Sequence, residues 1–180
     1  LGVALLFGAM VQGVPSAFSQ ALTNSDARLA LHVVPATGRP ACTGSDAAPT
    51  CAQIVTQGGL LPAHSYFVYL LVVKGEAAPG VSGLEAGIAY NGMPGAGVDV
   101  FGWTSCASLE FPQQGWPATG GGNRIGWDSL VRCQRTEPGG VGTGVVATAG
   151  YFYVGAYGPD LLRLTTHPGS GIAGVVDCAA

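Results

Sequence analysis

Residues 65–73 read SYFVYLLVV and are followed by Lys74 and Gly75. Aromatic and β-branched side chains are enriched in strands, and an uninterrupted apolar run of this length is typical of a strand buried on both faces. The segment therefore predicts a central strand of a sheet.

Shorter stretches on both sides of this segment repeat a pattern of strand and break. Residues 28–33 alternate between apolar and polar or small side chains, and residues 84–90 do the same before the turn dipeptide Asn91-Gly92. No sustained helical period occurs beyond the first 21 residues. Eight or nine short strands predict an all-β fold, a single antiparallel β-sandwich. The remaining predicted strands are residues 98–104, 124–133, 145–154, 161–165 and 172–177.

The composition narrows the classes of protein to which the chain can belong. Only 9% of its 180 residues are charged, compared with about 25% in an average soluble domain. An apolar content of 48% with a net charge of −3 argues against a disordered chain. Seven lysines and arginines without a cluster exclude a nucleic-acid-binding protein. The length suits one domain.

The N-terminal segment predicts export. Residues 1–14 carry no charge and include the run LGVALLFGAM, which is shorter than the ~20 residues of a membrane-spanning helix. Ser19 and Ala21 place small side chains where signal peptidase requires them. We predict a signal peptide, residues 1–21, without its basic n-region, and a mature domain, residues 22–180, that is secreted or at the cell surface. The alternative is a buried N-terminal helix.

The five cysteines all lie within the predicted mature domain. Their spacing matches no zinc or redox motif, so in an exported chain they predict disulfides. Proximity in the sequence favours the pairs Cys42–Cys51 and Cys106–Cys133. Cys178 is then unpaired, either as a buried thiol or as a link to another chain.

Several stretches resemble known secreted proteins. Residues 66–73, 79–84 (PGVSGL) and 88–91 (IAYN) resemble the cohesin-like and carbohydrate-binding-module group of β-sandwiches. This resemblance implies an immunoglobulin- or cohesin-like sandwich and a binding function, but it identifies no binding residue.

A second resemblance is to a group of secreted bacterial proteins of unknown function. It is carried by residues 97–111 (GVDVFGWTSCASLEF), 120–127 (GGGNRIGW) and 133–136 (CQRT). In that group a cysteine lies near the position of Ala86, which implies that Cys178 lacks its partner here.

Metal binding and nucleophilic catalysis are not indicated. His32, His64 and His167 have no spacing that would place two nitrogens on one metal ion. We expect His32 to point outward from an edge strand. Ser170 lies between two glycines but lacks the flanking residues of a nucleophile elbow.

The sequence gives little support for glycoside hydrolysis or for nucleotide binding. A glycoside hydrolase needs two carboxyl groups about 5–9.5 Å apart in a cleft. Asp99, Glu110 and Asp128 are the carboxylates that lie among aromatic residues. Residues 120–124 are glycine-rich but lack the Lys-Ser/Thr of a phosphate loop. We expect no cofactor and no enzymatic activity.

All three tryptophans lie in one segment, residues 103–127. Flat rings beside amide side chains suit stacking on sugars. Trp116 lies in a predicted loop and is the tryptophan we most expect to be exposed, whereas Trp103 and Trp127 lie on predicted strands and suit the core. The candidate ligand-binding residues are Trp116, Gln113, Gln114, Asn123 and Arg124.

These observations predict a non-catalytic secreted module that binds a polysaccharide or another surface protein. The alternative is a self-associating structural protein of the surface or extracellular matrix, because few charges oppose pairing between strand edges. A glycoside-active enzyme is the third hypothesis.

Overall fold

The computed structural model describes residues 24–59, 65–113 and 115–178. The predicted signal peptide, Gln114 and His64 lie outside these residues. No helix within these ranges is long and apolar enough to cross a membrane.

The described residues form two antiparallel sheets that pack together, as the predicted β-sandwich requires. The first sheet has the order β1-β2-β7-β4, and the second has the order β5-β6-β3, with β8 and β9 both pairing with the far side of β3. The strands are β1 (Arg28–Pro35), β2 (Ser65–Gly75), β3 (Val81–Ala89), β4 (Val98–Ser105), β5 (Leu109–Pro112), β6 (Gly122–Gly126), β7 (Val145–Ala156), β8 (Arg163–Thr165) and β9 (Gly174–Asp177), with one 3-10 turn, Cys51–Gln53.

The strand predictions are confirmed with two differences. Strand β5 was not expected. The segment predicted as residues 124–133 leaves the sheet after Gly126, because Asp128 forms a turn in which its carboxylate accepts the amide protons of Leu130 and Val131.

Strand β2 lies between β1 and β7 and is buried on both faces, which confirms the prediction for residues 65–73. Its two faces enter two separate cores. Tyr66, Val68, Leu70 and Val72 pack between the sheets, whereas Tyr69, Leu71 and Val73 pack in a second cluster on the outer face of the first sheet.

The second cluster is covered by residues 36–59, which we call the strap. Ala47 of the strap is fully buried against this face, and the Tyr69 hydroxyl donates a hydrogen bond to the Ala41 carbonyl at 3.2 Å. The Val55 amide donates to His32 Nδ1 at 2.9 Å. His32 does lie on an edge strand, but the strap buries it, so the expectation that it points into solvent is wrong.

The predicted disulfide pairing is wrong. Cys42 is bonded to Cys106, Cys133 is bonded to Cys178, and Cys51 is a free, exposed thiol. The strap carries Cys42 across the first sheet to the end of β4, away from Cys51.

The strand partners of β3 explain the Cys133–Cys178 disulfide. Val81 at the start of β3 is paired with both Gln134 and Asp177, so the adjacent residues Cys133 and Cys178 meet there. Cys178 therefore has its partner in this chain, and the residue at position 86 does not account for it.

Candidate binding surface

The tryptophans do not form an exposed platform. Trp127 is buried, and Trp103 packs against the core with its ring centroid 4.6 Å from that of Phe152, so their predicted place in the core is confirmed. Trp116 is half-buried and packs on both Trp103 and Phe152, with centroids 5.3 Å from each. This corrects the expectation that Trp116 is exposed.

The other candidate ligand-binding residues are divided between surfaces. Asn123 is 1% exposed, and its Nδ2 donates to Glu110 Oε2 at 3.1 Å. Arg124 follows it on β6 and therefore points to the opposite face, where its Nε donates to Glu85 Oε2 at 2.8 Å. Gln113 is exposed beyond the end of β5. Arg124 thus lies on the opposite face of the second sheet from Asn123, whereas the Gln113 carbonyl accepts a hydrogen bond from the Trp116 amide at 3.0 Å.

Five aromatic side chains instead line the outer face of the first sheet beside the strap. We call them the aromatic strip. Tyr153 is 42% exposed, Phe101 is 53% exposed and Tyr157 is 57% exposed. The strip consists of Phe67, Tyr151, Tyr153, Phe101 and Tyr157.

The strand register places three of these rings in a row. Phe67 of β2 is paired with Tyr153 of β7, and their ring centroids are 5.7 Å apart. The Phe101 ring of β4 follows at 5.5 Å from that of Tyr153. The row therefore runs across the strands from the middle of the sheet to its β4 edge.

A β-bulge provides the ring at the edge. Val100 is paired with Val154 and Gly102 with Tyr153, so Phe101 is the extra residue on β4. Val100 and Trp103 both pack on the inner core, which strict alternation over three residues does not allow. The bulge resolves this conflict and leaves the Phe101 side chain 53% exposed.

Two glycines keep the strip open. Gly102 lies opposite Tyr153, and a Cβ at this position would meet no atom within 4 Å. Gly155 lies beneath the neighbouring rings, and a Cβ there would come within 2.9 Å of Phe101 and 3.1 Å of Tyr157. Larger residues at either position would fill space beside the rings or displace them.

The groups that could support catalysis have local structural partners. Asp99 accepts the Gly95 amide proton at 2.8 Å, and the Glu110 carboxylate accepts a hydrogen bond from Trp103 Nε1 at 2.8 Å. Within the described ranges, no group of three or more histidine, cysteine or acidic side chains is placed to hold a metal ion.

Ser170 and His167 lie near Glu85 on the outer face of the second sheet. The hydrogen bond from Arg124 is the main cause that lowers the pKa of Glu85, with smaller contributions from Ser170 and the nearby His167. His167 is buried, and its Nδ1 accepts the Gly169 amide proton at 3.2 Å. The His167–Gly169 hydrogen bond is internal to the β8–β9 loop, and the Ser170 side chain connects this loop to Glu85 of the second sheet.

No protein-family model, curated protein sequence or solved structure matches the chain. Sequence reasoning missed the aromatic strip, although the alternation of Tyr151 and Tyr153 along β7 indicated two aromatic rings on one face of a strand.

Proposed function

We propose that the chain is a non-catalytic secreted module that binds polysaccharide through the aromatic strip. The observation that carries this proposal is the row of Phe67, Tyr153 and Phe101 on the solvent side of the first sheet. Aromatic faces stack on the C–H faces of sugar rings, and tyrosine hydroxyls add hydrogen bonds to sugar hydroxyl groups.

The position of the row supports binding to an extended ligand. The rings lie on paired strands rather than on loops. Their backbone is already ordered, so binding of a ligand costs little conformational entropy. Centroid separations of 5.5 and 5.7 Å are close to the length of one sugar unit in a linear chain. Consecutive rings can therefore contact consecutive sugar units.

The remaining features are compatible with this function. Two disulfides are compatible with an extracellular protein. The low charge of the chain favours a neutral ligand over a strongly charged one.

The test is isothermal titration calorimetry with soluble β-glucan, xylan, glucomannan and glycol chitin. We expect saturable binding to one of them, weakened about tenfold or more by Tyr153→Ala, because loss of a stacked ring costs on the order of 1 kcal/mol beyond its buried area. Phe111→Ala is the matched control, since Phe111 is 66% exposed on the second sheet. Failure to bind any of these polymers, or an equal effect of Phe111→Ala, would overturn the proposal.

Self-association is a second candidate function, favoured by the outer face of the second sheet. An apolar groove of about 510 Å³ lies there, and its walls carry four exposed side chains. Sedimentation velocity at increasing concentration tests this function. If a second copy of the chain occupies the groove, dimers should form as the concentration rises, and Phe111→Asp should dissociate them. A protein that stays monomeric at every concentration contradicts self-association. The four side chains are Leu109, Phe111, Ile172 and Val176.

A further inference from the structure

A cavity of about 230 Å³ lies between the strap and the outer face of the first sheet. Phe67 and Tyr69 line it on the side of the sheet, and Arg39 and Asp46 line it on the side of the strap. Its volume is sufficient for one monosaccharide unit.

The cavity adjoins the aromatic strip, because Phe67 lines the cavity and is also the first ring of the row. At its other end the row of rings reaches Phe101 on β4, an edge strand, and is open to solvent. At the Phe67 end the row meets the cavity, and strap residues form the wall of the cavity that faces Phe67. A linear ligand that follows the row therefore meets the strap at one end only.

The two charged residues of the cavity have side chains that can offer hydrogen bonds to a ligand. Within the described part of the chain, neither the Arg39 nor the Asp46 side chain takes part in a hydrogen bond or an ion pair, and both residues are exposed. A guanidinium donates to sugar oxygens, and a carboxylate accepts from sugar hydroxyls. Because the two charges are opposite, they favour a neutral sugar with adjacent hydroxyl groups over an anionic one.

The strap is held in a position that keeps the cavity formed. The Cys42–Cys106 disulfide ties one part of it to the end of β4, and the Tyr69 hydroxyl binds the Ala41 carbonyl at 3.2 Å. The Thr148 hydroxyl also donates to the Ala47 carbonyl. A preformed cavity loses less entropy on binding than a flexible one.

From this arrangement, and resting on the proposed function, we infer that the module recognises the end of a glycan chain. The terminal neutral sugar unit occupies the cavity between Arg39 and Asp46, and the following units lie on Phe67, Tyr153 and Phe101. Internal stretches of a polymer cannot enter, because the strap blocks the chain from continuing.

The first experiment measures how much protein a polymer binds before and after mild hydrolysis. The probe is whichever of the four polysaccharides binds, used intact and as shortened chains of equal total mass. Recognition of chain ends predicts that the amount of protein bound per unit mass rises in proportion to the number of ends. An amount that does not change when the chains are shortened overturns the inference and leaves the proposed function in place.

The second experiment uses variants of the cavity with short linear oligosaccharides from the same polymer. We expect Arg39→Ala and Asp46→Asn each to weaken binding about tenfold or more, because each removes a charged group that forms hydrogen bonds with the sugar. Arg163→Ala and Asp26→Asn are matched controls at exposed positions outside the cavity and the strip.

The outcomes separate the two proposals. Wild-type affinity in Arg39→Ala and Asp46→Asn, with loss of binding in Tyr153→Ala, removes the end-recognition inference alone. Absence of binding to every polysaccharide removes the proposed function and the inference with it. Unchanged thermal unfolding of the cavity variants shows that any loss of affinity is local.

Discussion

Cys42 in the strap is disulfide-bonded to Cys106, the residue that follows β4 at the far edge of the first sheet. Because β2 and β7 lie between β1 and β4, this bond holds the strap across the sheet. The strap buries Tyr69 and Leu71, whereas Tyr153 and Phe101 remain exposed beside it. One covalent bond thus helps to define which part of the aromatic face can reach a ligand.

Removal of this bond should destabilise the fold. With the two cysteines 64 positions apart in the sequence, the chain-entropy relation gives a loss of about 4 kcal/mol for the Cys42→Ser/Cys106→Ser double variant. Guanidinium denaturation under oxidising conditions measures the free energy of unfolding. Cys51→Ser is the control and should leave it unchanged, since Cys51 is free and exposed. An equal loss in both variants would contradict the observed pairing.

Stability should fall on acidification because of His32. Burial is the main cause that lowers the pKa of His32 below its ordinary value of 6.5, although the Asp46 carboxylate opposes this effect. The unfolded chain therefore takes up a proton near pH 6.5, while folded His32 stays neutral until a lower pH. The stabilisation that arises from neutral, buried His32 is fully present above about pH 6.5. It is lost as the pH falls through the pKa of His32 in the folded protein.

Urea denaturation of wild type and His32→Asn between neutral and mildly acidic pH measures this effect. Asparagine keeps an acceptor for the Val55 amide but does not titrate. The stability of the His32→Asn variant should therefore depend less steeply on pH. Parallel pH profiles for the two proteins would show that His32 does not cause the dependence.

Gly87→Ala should destabilise the second sheet. A Cβ at this position would lie 2.5 Å from the Thr166 carbonyl oxygen and 2.6 Å from Thr165 Oγ1, so the β8–β9 loop would have to move. Overpacking of this kind costs about 1–3 kcal/mol. Gly126→Ala is the control on neighbouring β6, where the nearest atom is 3.5 Å away, and it should change stability by less than about 0.5 kcal/mol. Thermal unfolding compares the two variants.

Trp116→Ala should lower stability rather than act directly on sugar binding. Its ring packs on Trp103 and Phe152 at the edge of the inner core, and loss of such a ring costs on the order of 3 kcal/mol. Titration with the polysaccharide under conditions where the variant remains folded should give wild-type affinity. If the Trp116→Ala variant kept its stability but lost binding, the result would place the binding site in the tryptophan segment, residues 103–127.

The sequence by itself determined the fold class. Residues 66–73 are apolar or aromatic at every position, so both faces of this strand must be covered. The second sheet covers one face, and the strap covers the other. Alternating patterns and glycine or proline breaks located most of the other strands, because the period of side-chain direction is a local property. Similarly, Trp103 and Trp127 could be assigned to the core from their positions on predicted strands.

Only the tertiary structure decided the disulfide partners and the composition of the aromatic strip. Cys42 and Cys106 are separated by 64 residues, and they meet only because β4 lies at the far edge of the sheet that the strap crosses. Phe67, Phe101 and Tyr153 come from three strands and form a row through the pairing register and the bulge on β4. The hydrophobic pattern of a strand decides which face is buried, but it does not name the residues of a distant strand that pair with it. That choice depends on packing across the whole sandwich.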